Sequence, residues 1–114
     1  MALPKRLRLS DDSQIKKVFK EGQTLNFAFF RIKFLPIDLD WPKLAVIVSS
    51  KVSRKAVIRN KIKRKISEII RPRISKIKPG LVTLQVKPEA LGLFSREPDL
   101  FEKDLIRVLD KISK

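Results

Sequence analysis

From Lys55 to Arg71 the chain reads KAVIRNKIKRKISEIIR, with isoleucine returning at positions 58, 62, 66, 69 and 70. Steps of three and four are the period of one helix face. At about 100° per residue these isoleucines cover about a third of the circumference, so the run predicts a helix laid on a core along one stripe. Opposite the stripe fall Asn60, Arg64, Ser67 and Arg71, with Lys61 and Lys65 on one flank and Lys63 on the other. Arg59 projects onto the apolar arc, but it lies in the first turn, where a long side chain reaches solvent. A helix that carries both features belongs at a boundary, between a core and something negative.

The rest of the chain supplies that core. Ser10 offers an N-cap, Ile15, Val18 and Phe19 follow at helical spacing, and Gly22 ends a short first helix. In FAFFRIKFL, Ala28, Phe30, Ile32 and Phe34 alternate with Phe27, Phe29, Arg31 and Lys33, which predicts a strand with two unlike faces. PIDLDWP is a turn bounded by prolines. LAVIVSS predicts a strand buried on both faces. Pro72 stops or kinks the basic helix, Lys78 to Gly80 makes a turn, and LVTLQVK alternates as a third strand. EALGLFSREP is a loop with room for a short helical turn. Phe101, Leu105, Val108, Leu109 and Ile112 then share one stripe of a closing amphipathic helix. The order α-β-β-α-β-α predicts an α+β chain folded as one α/β sandwich, a small sheet with helices packed on it. With 114 residues, a single domain over 1–114 is expected.

Composition narrows the chemistry. Lys and Arg number 27 against 12 Asp and Glu, a net charge of +15, which calls for an anionic partner. Without histidine or cysteine there is no Ser-His-Asp triad, no Cys-His pair, no Cys/His zinc site and no disulfide. Adjacent Asp11 and Asp12 stand at a helix start, where acids complement the helix dipole more readily than they ligate metal. MALPKRLRLS lacks the apolar run of a signal peptide, and no 18-residue apolar stretch occurs. The expectation is a cytoplasmic chain with no membrane contact, no catalytic residue and no metal of its own.

Between Lys55 and Arg71 the single acid is Glu68. A solvated helix face ordinarily mixes signs at i, i+4, and like charges there cost stability. The bias favours nucleic acid over an anionic membrane or an acidic protein, because the isoleucine stripe has no interfacial Trp or Phe. Lys51, Arg54 and Lys55 lead into the helix N-terminus, which itself favours anions. Arginine forks, lysine point charges and the two-way hydrogen bonding of Asn60 suit an RNA or a DNA backbone equally.

The string SSKVSRKAVIRNKIKRKISEIIR resembles the signature of the bacterial ribonuclease P protein subunit. The match rests on Ser49 and Lys51, Ala56 and Val57, Arg59-Asn60-Lys61, and Lys63-Arg64. RLSDDSQIKKVFKEG is similar to that family's first helix, and LVTLQVKP to its later strand. Ser50, Ile15, Ser67 and Lys33 depart from the usual lysine, phenylalanine, arginine and aromatic residues. The resemblance implies a mixed sheet with a left-handed β-α-β crossover, against the common right-handed preference. It implies that Lys51, Arg54, Lys55, Arg59, Asn60, Lys61, Lys63 and Arg64 face the catalytic ribonuclease P RNA, one protein per RNA. It implies a second surface, a cleft between the first helix and the sheet, that grips the 5′ leader of precursor tRNA. The reaction implied is endonucleolytic removal of that leader, performed by the RNA subunit with its bound Mg²⁺.

Phe19, Phe29, Arg31 and Lys33 could line the cleft, stacking bases and neutralising phosphates. Phe19 reads equally as a core residue beside Val18. Two other classes stay open: a structural RNA-binding protein of similar size and charge, and a protein-only nuclease, which the missing catalytic groups disfavour.

Overall fold

The computed structural model describes residues 3–114. Helix α1 spans Asp12–Glu21, and Asp11, not Ser10, is its N-cap. The Asp11 Oδ1 accepts from the Ser13 and Gln14 backbone N–H groups and from the Ser13 hydroxyl, at 2.9, 3.4 and 2.7 Å. These bonds hold the Asp11 carboxyl below the usual carboxylate range, with the Ser13 hydroxyl the largest cause. A capping role for Asp11 is what its place at a helix start predicted. Gly22 closes the helix through its N–H to the Val18 carbonyl at 2.8 Å, where a Cβ would stand 2.5 Å from that oxygen.

The strands are β1 (Gln23–Asn26), β2 (Phe30–Leu35), β3 (Pro42–Ile47) and β4 (Gly80–Val86). Helix α2 (Ala56–Ile70) lies between β3 and β4, and α3 (Ala90–Arg96) and α4 (Pro98–Asp110) follow. The sheet is mixed, in the order β1-β2-β4-β3. Strand β4 is antiparallel to β2, with Ile32 opposite Leu84, and parallel to β3, with Leu44 beside Val82. Because β3 and β4 are parallel neighbours, α2 is the crossover of a β-α-β unit.

Helices α2 and α4 cover one face of the sheet. There Ile62, Ile66, Ile69 and Ile70 meet Phe30, Ile32, Leu44, Val82 and Leu84, with Phe101, Leu105, Val108 and Leu109 from α4. The Phe101 ring is set edge-on to Phe30 and Phe94, at centroid distances of 5.5 and 5.2 Å. On the other face α1 delivers Val18 onto Leu81, joined by Leu9, Ile15 and Leu35. The strand buried on both faces is therefore β4, from Gly80 to Leu84, and not β3, whose Ala45, Val46 and Ile47 stay half-buried. LAVIVSS is the more apolar string, but topology decides burial: β4 is central and β3 lies at the side.

The N-terminal segment runs along β3. Leu9 donates to the Leu44 carbonyl at 2.8 Å, and the Trp41 indole N–H donates to the Arg6 carbonyl at 3.1 Å, with the Arg6 guanidinium over its ring. Two elements go beyond the sequence expectation. The loop after Pro88 forms helix α3, and Gln23–Asn26 forms edge strand β1, whose single apolar residue, Leu25, is too weak a periodic signal to announce it.

Gly80 has φ +148°, and a Cβ there would come within 2.7 Å of the Leu35 carbonyl. Gly80→Ala is expected to destabilise the fold by about 1 kcal/mol or more, read as a lower urea midpoint at unchanged slope. Asp11→Ala should lower the melting temperature at neutral pH. A depressed carboxylate stabilises above its unfolded-state pKa and loses that contribution as pH falls through its folded-state value. The gap between Asp11→Ala and wild type should therefore close in acid.

Candidate nucleic-acid interface

Ahead of α2 the chain turns twice, through the Val52 N–H to the Ser49 carbonyl and the Lys55 N–H to the Ser53 hydroxyl. Val52 is buried beneath this connection, so Lys51, Arg54 and Lys55 are left pointing outward. Arg59 is half-buried, and its Nη1 donates to the Ser53 and Arg54 carbonyls, both at 2.9 Å. Its guanidinium therefore staples the connection to the first turn of α2, whereas the sequence predicted a side chain reaching solvent; two backbone carbonyls within its reach hold it back.

The isoleucine stripe fixes the rotation of α2, and that rotation leaves Asn60, Lys61, Lys63 and Arg64 exposed. Among the described residues, Lys61, Lys63 and Arg64 have no hydrogen-bond or ion-pair partner; Lys65 is paired with Glu102 of α4 at 3.5 Å. Uncommitted cations on a rigid helix keep their whole field for an external anion.

Ser67 does not join this exposed face. It is buried, where it lines a hollow of about 410 Å³ between the N-terminal segment, β3 and α2. Leu3, Leu9, Leu44, Ala45 and Val46 give the hollow an apolar floor, and Arg8, Asn60, Lys63 and Arg64 give it a polar, cationic rim. Helical projection put Ser67 opposite the isoleucines, but it faces a hollow shared with the N-terminal arm, which periodicity does not show.

At α1, Phe19 and Lys33 come together. The Lys33 ammonium donates to the Phe19 carbonyl at 3.1 Å and stands 5.3 Å from the centroid of its ring. A lysine at a helix C-terminus satisfies an orphan carbonyl and complements the dipole. Phe19 is half-buried, so part of its ring is accessible beside the amine. Arg31 is exposed on the same strand face, opposite Gln85. Phe29 is not brought to this place. It sits at the bend before β2, packed toward the main core and beside Leu93 and Leu100.

The ribonuclease P family model matches residues 3–113. The chain belongs to the ribonuclease P protein family. Ribonuclease P protein components from Synechocystis sp. and Nostoc sp. are 34% and 33% identical to it, the matches spanning 81% and 79% of this chain and 76% and 80% of theirs. The fold agrees with the Thermotoga maritima RNase P protein solved with 1-(4-fluorophenyl)-2-thiourea: TM-score 0.83, 29% identity, 92% of this chain and 99% of that one. The Staphylococcus aureus RNase P protein shares the fold at TM-score 0.80 and 23% identity, over 93% of this chain and 94% of that one. The family is that of the protein component of a tRNA-processing endoribonuclease that works as a ribonucleoprotein.

The two arginines of α2 should separate in stability measurements. Arg59→Ala leaves two carbonyls without their donor and should cost about 1–2 kcal/mol in urea unfolding. Arg64→Ala, at an exposed and unpartnered position, should stay within about 0.5 kcal/mol of wild type.

Proposed function

We propose that this chain binds the ribonuclease P RNA and the 5′ leader of precursor tRNA, and so assists removal of the leader at the mature tRNA 5′ end. The observation that carries the reading is the row of uncommitted cations Lys61, Lys63 and Arg64 on α2, beside Asn60, in a member of this family. With Lys51, Arg54, Lys55 and Arg59 they make a continuous cationic path from the connection onto the helix. Phosphates of folded RNA would displace counterions there, and arginine forks and Asn60 would fix register. The match over residues 3–113 supports one ribonuclease P protein domain over residues 1–114, of which residues 1 and 2 lie outside the described structure.

The leader is assigned to the α1–sheet cleft around Phe19, Lys33 and Arg31. Phe19 offers a ring to a base, and Arg31 offers a free cation to a phosphate. Lys33 gives one of its three ammonium donors to the Phe19 carbonyl, so it shapes the cleft and keeps two donors for a phosphate. Phe29 has no support as a member of this set.

Chemistry at the scissile phosphodiester belongs, on this reading, to the RNA and the Mg²⁺ it binds. Among the described residues no group of three or more His, Cys, Asp or Glu side chains is placed to hold a metal ion, and the Asp11 carboxylate is engaged in capping. On this reading the protein residues take no part as metal ligands. The stoichiometry proposed is one protein per RNA. No helix among the described residues is long and apolar enough to cross a membrane; the place of work proposed is the cytoplasm.

The test is cleavage of a precursor tRNA by a bacterial ribonuclease P RNA at low Mg²⁺, with and without this protein. Stimulated cutting at the mature 5′ junction is expected. RNA binding without stimulation would instead leave a structural RNA-binding protein, and cutting without any RNA subunit would leave a protein-only nuclease. Replacing Lys63 and Arg64 with alanine should weaken RNA binding, and each lost phosphate contact should flatten the log K against log salt slope by about 0.7–0.9.

A further inference from the structure

The α3–α4 pair carries a hollow of about 470 Å³ that shares no residue with α1 or α2. Phe29, Leu93 and Leu100 form its apolar walls, and Lys103, Asp104 and Arg107 form its polar side. Leu100 is 46% exposed, one of the few large apolar side chains so open to water. Asp104 is the unusual member. Its side chain is only 10% exposed; Oδ1 accepts from Arg107, and Oδ2 is buried with no hydrogen-bond partner among the described residues. A carboxylate oxygen taken out of water with no donor is unfavourable, so the site favours a ligand that brings one. Its present partner is loosely held, because the Arg107 side chain is 75% exposed.

We propose that this hollow is a nucleotide subsite that selects guanine in single-stranded RNA. The base would lie against Phe29 and the leucines, in the manner of unstacked bases on aromatic side chains. Guanine presents two adjacent donors, N1–H and N2–H₂, which match the two oxygens of one carboxylate. Adenine and cytosine set a donor beside a ring acceptor that Asp104 repels, and uracil sets its one N–H between carbonyls. The nucleotide phosphate supplies Arg107 and Lys103 with an anion. Arg107 thereby passes from Asp104 to the phosphate, and the base takes its place on the carboxylate with two hydrogen bonds, one to each oxygen. A basic peptide also offers donors, but Lys103, Arg107 and the net charge of +15 oppose it. The inference rests on the reading that the partner is RNA, not on assistance to cleavage, so a mononucleotide assay and a cleavage assay fail separately.

The experiment is NMR titration of the full chain with guanosine 5′-monophosphate and, at equal ionic strength, adenosine 5′-monophosphate. Equal phosphate charge cancels non-specific attraction to the basic surface. Guanosine monophosphate is expected to shift the signals of Phe29, Leu93 and Leu100 and to bind about tenfold more tightly. Asp104→Asn, with one acceptor and one donor in the same shape, should lose the guanine preference while the isoleucine signals of the core stay in place. Equal affinities, or shifts confined to α2, would overturn the proposal, as would an arginine-rich peptide that moves the hollow's signals more than the nucleotide does. If Asp104→Asn fails to fold, the wild-type ratio and the location of the shifts still decide.

Discussion

Everything on the cationic side of α2 depends on the isoleucines beneath it. Burial of a side chain such as Ile62 or Ile66 contributes about 1.5–3 kcal/mol, whereas a like-charge pair at i, i+4 costs about 0.2–0.5 kcal/mol. Packing therefore wins over repulsion by a wide margin. The helix keeps its cations at fixed positions without neutralising them, and the Arg59 staple extends that rigidity back into the connection. A surface ordered in advance has less to lose on association.

The cations divide into two kinds. Arg59 and Lys33 are spent on backbone carbonyls, and Lys65 on Glu102; Lys61, Lys63 and Arg64 are held in reserve. The first group builds the shape that presents the second. Charge count alone does not make this distinction, because a lysine at a helix C-terminus and a lysine on an open face read identically in a sequence.

The legible parts of this chain are those in which one element carries its own signal. The α2 stripe, the alternation through β2, and the closing stripe of α4 each announced both element and buried face, because period and apolar content agreed. What escaped was set by segments distant in the chain. Ser67 lies in the hollow between α2 and the N-terminal arm, Phe29 is half-buried beside the α3–α4 pair, and β4 owes its burial to its place in the middle of the sheet. Of the proposed leader cleft, the neighbourhood of Phe19 and Lys33 could be read from their facing elements. The bend before β2 broke the alternation that would have added Phe29. Asp104 gave no sign at all, since an acid on an amphipathic helix is ordinary until its neighbours remove water from it.

The central position of β4 also bears on how the chain is made. Strands β2 and β3 leave the ribosome first, yet neither is the other's partner; both wait for residues 80–86 to emerge between them. The β1–β2 hairpin is the one part of the sheet that can close early, and such a hairpin alone is marginal in water. For most of its synthesis the chain thus carries open strand edges and an uncovered isoleucine stripe, the features that lead nascent chains to associate. Its strong like charge keeps such chains apart, so the cations proposed to meet RNA also protect the polypeptide before it has a fold.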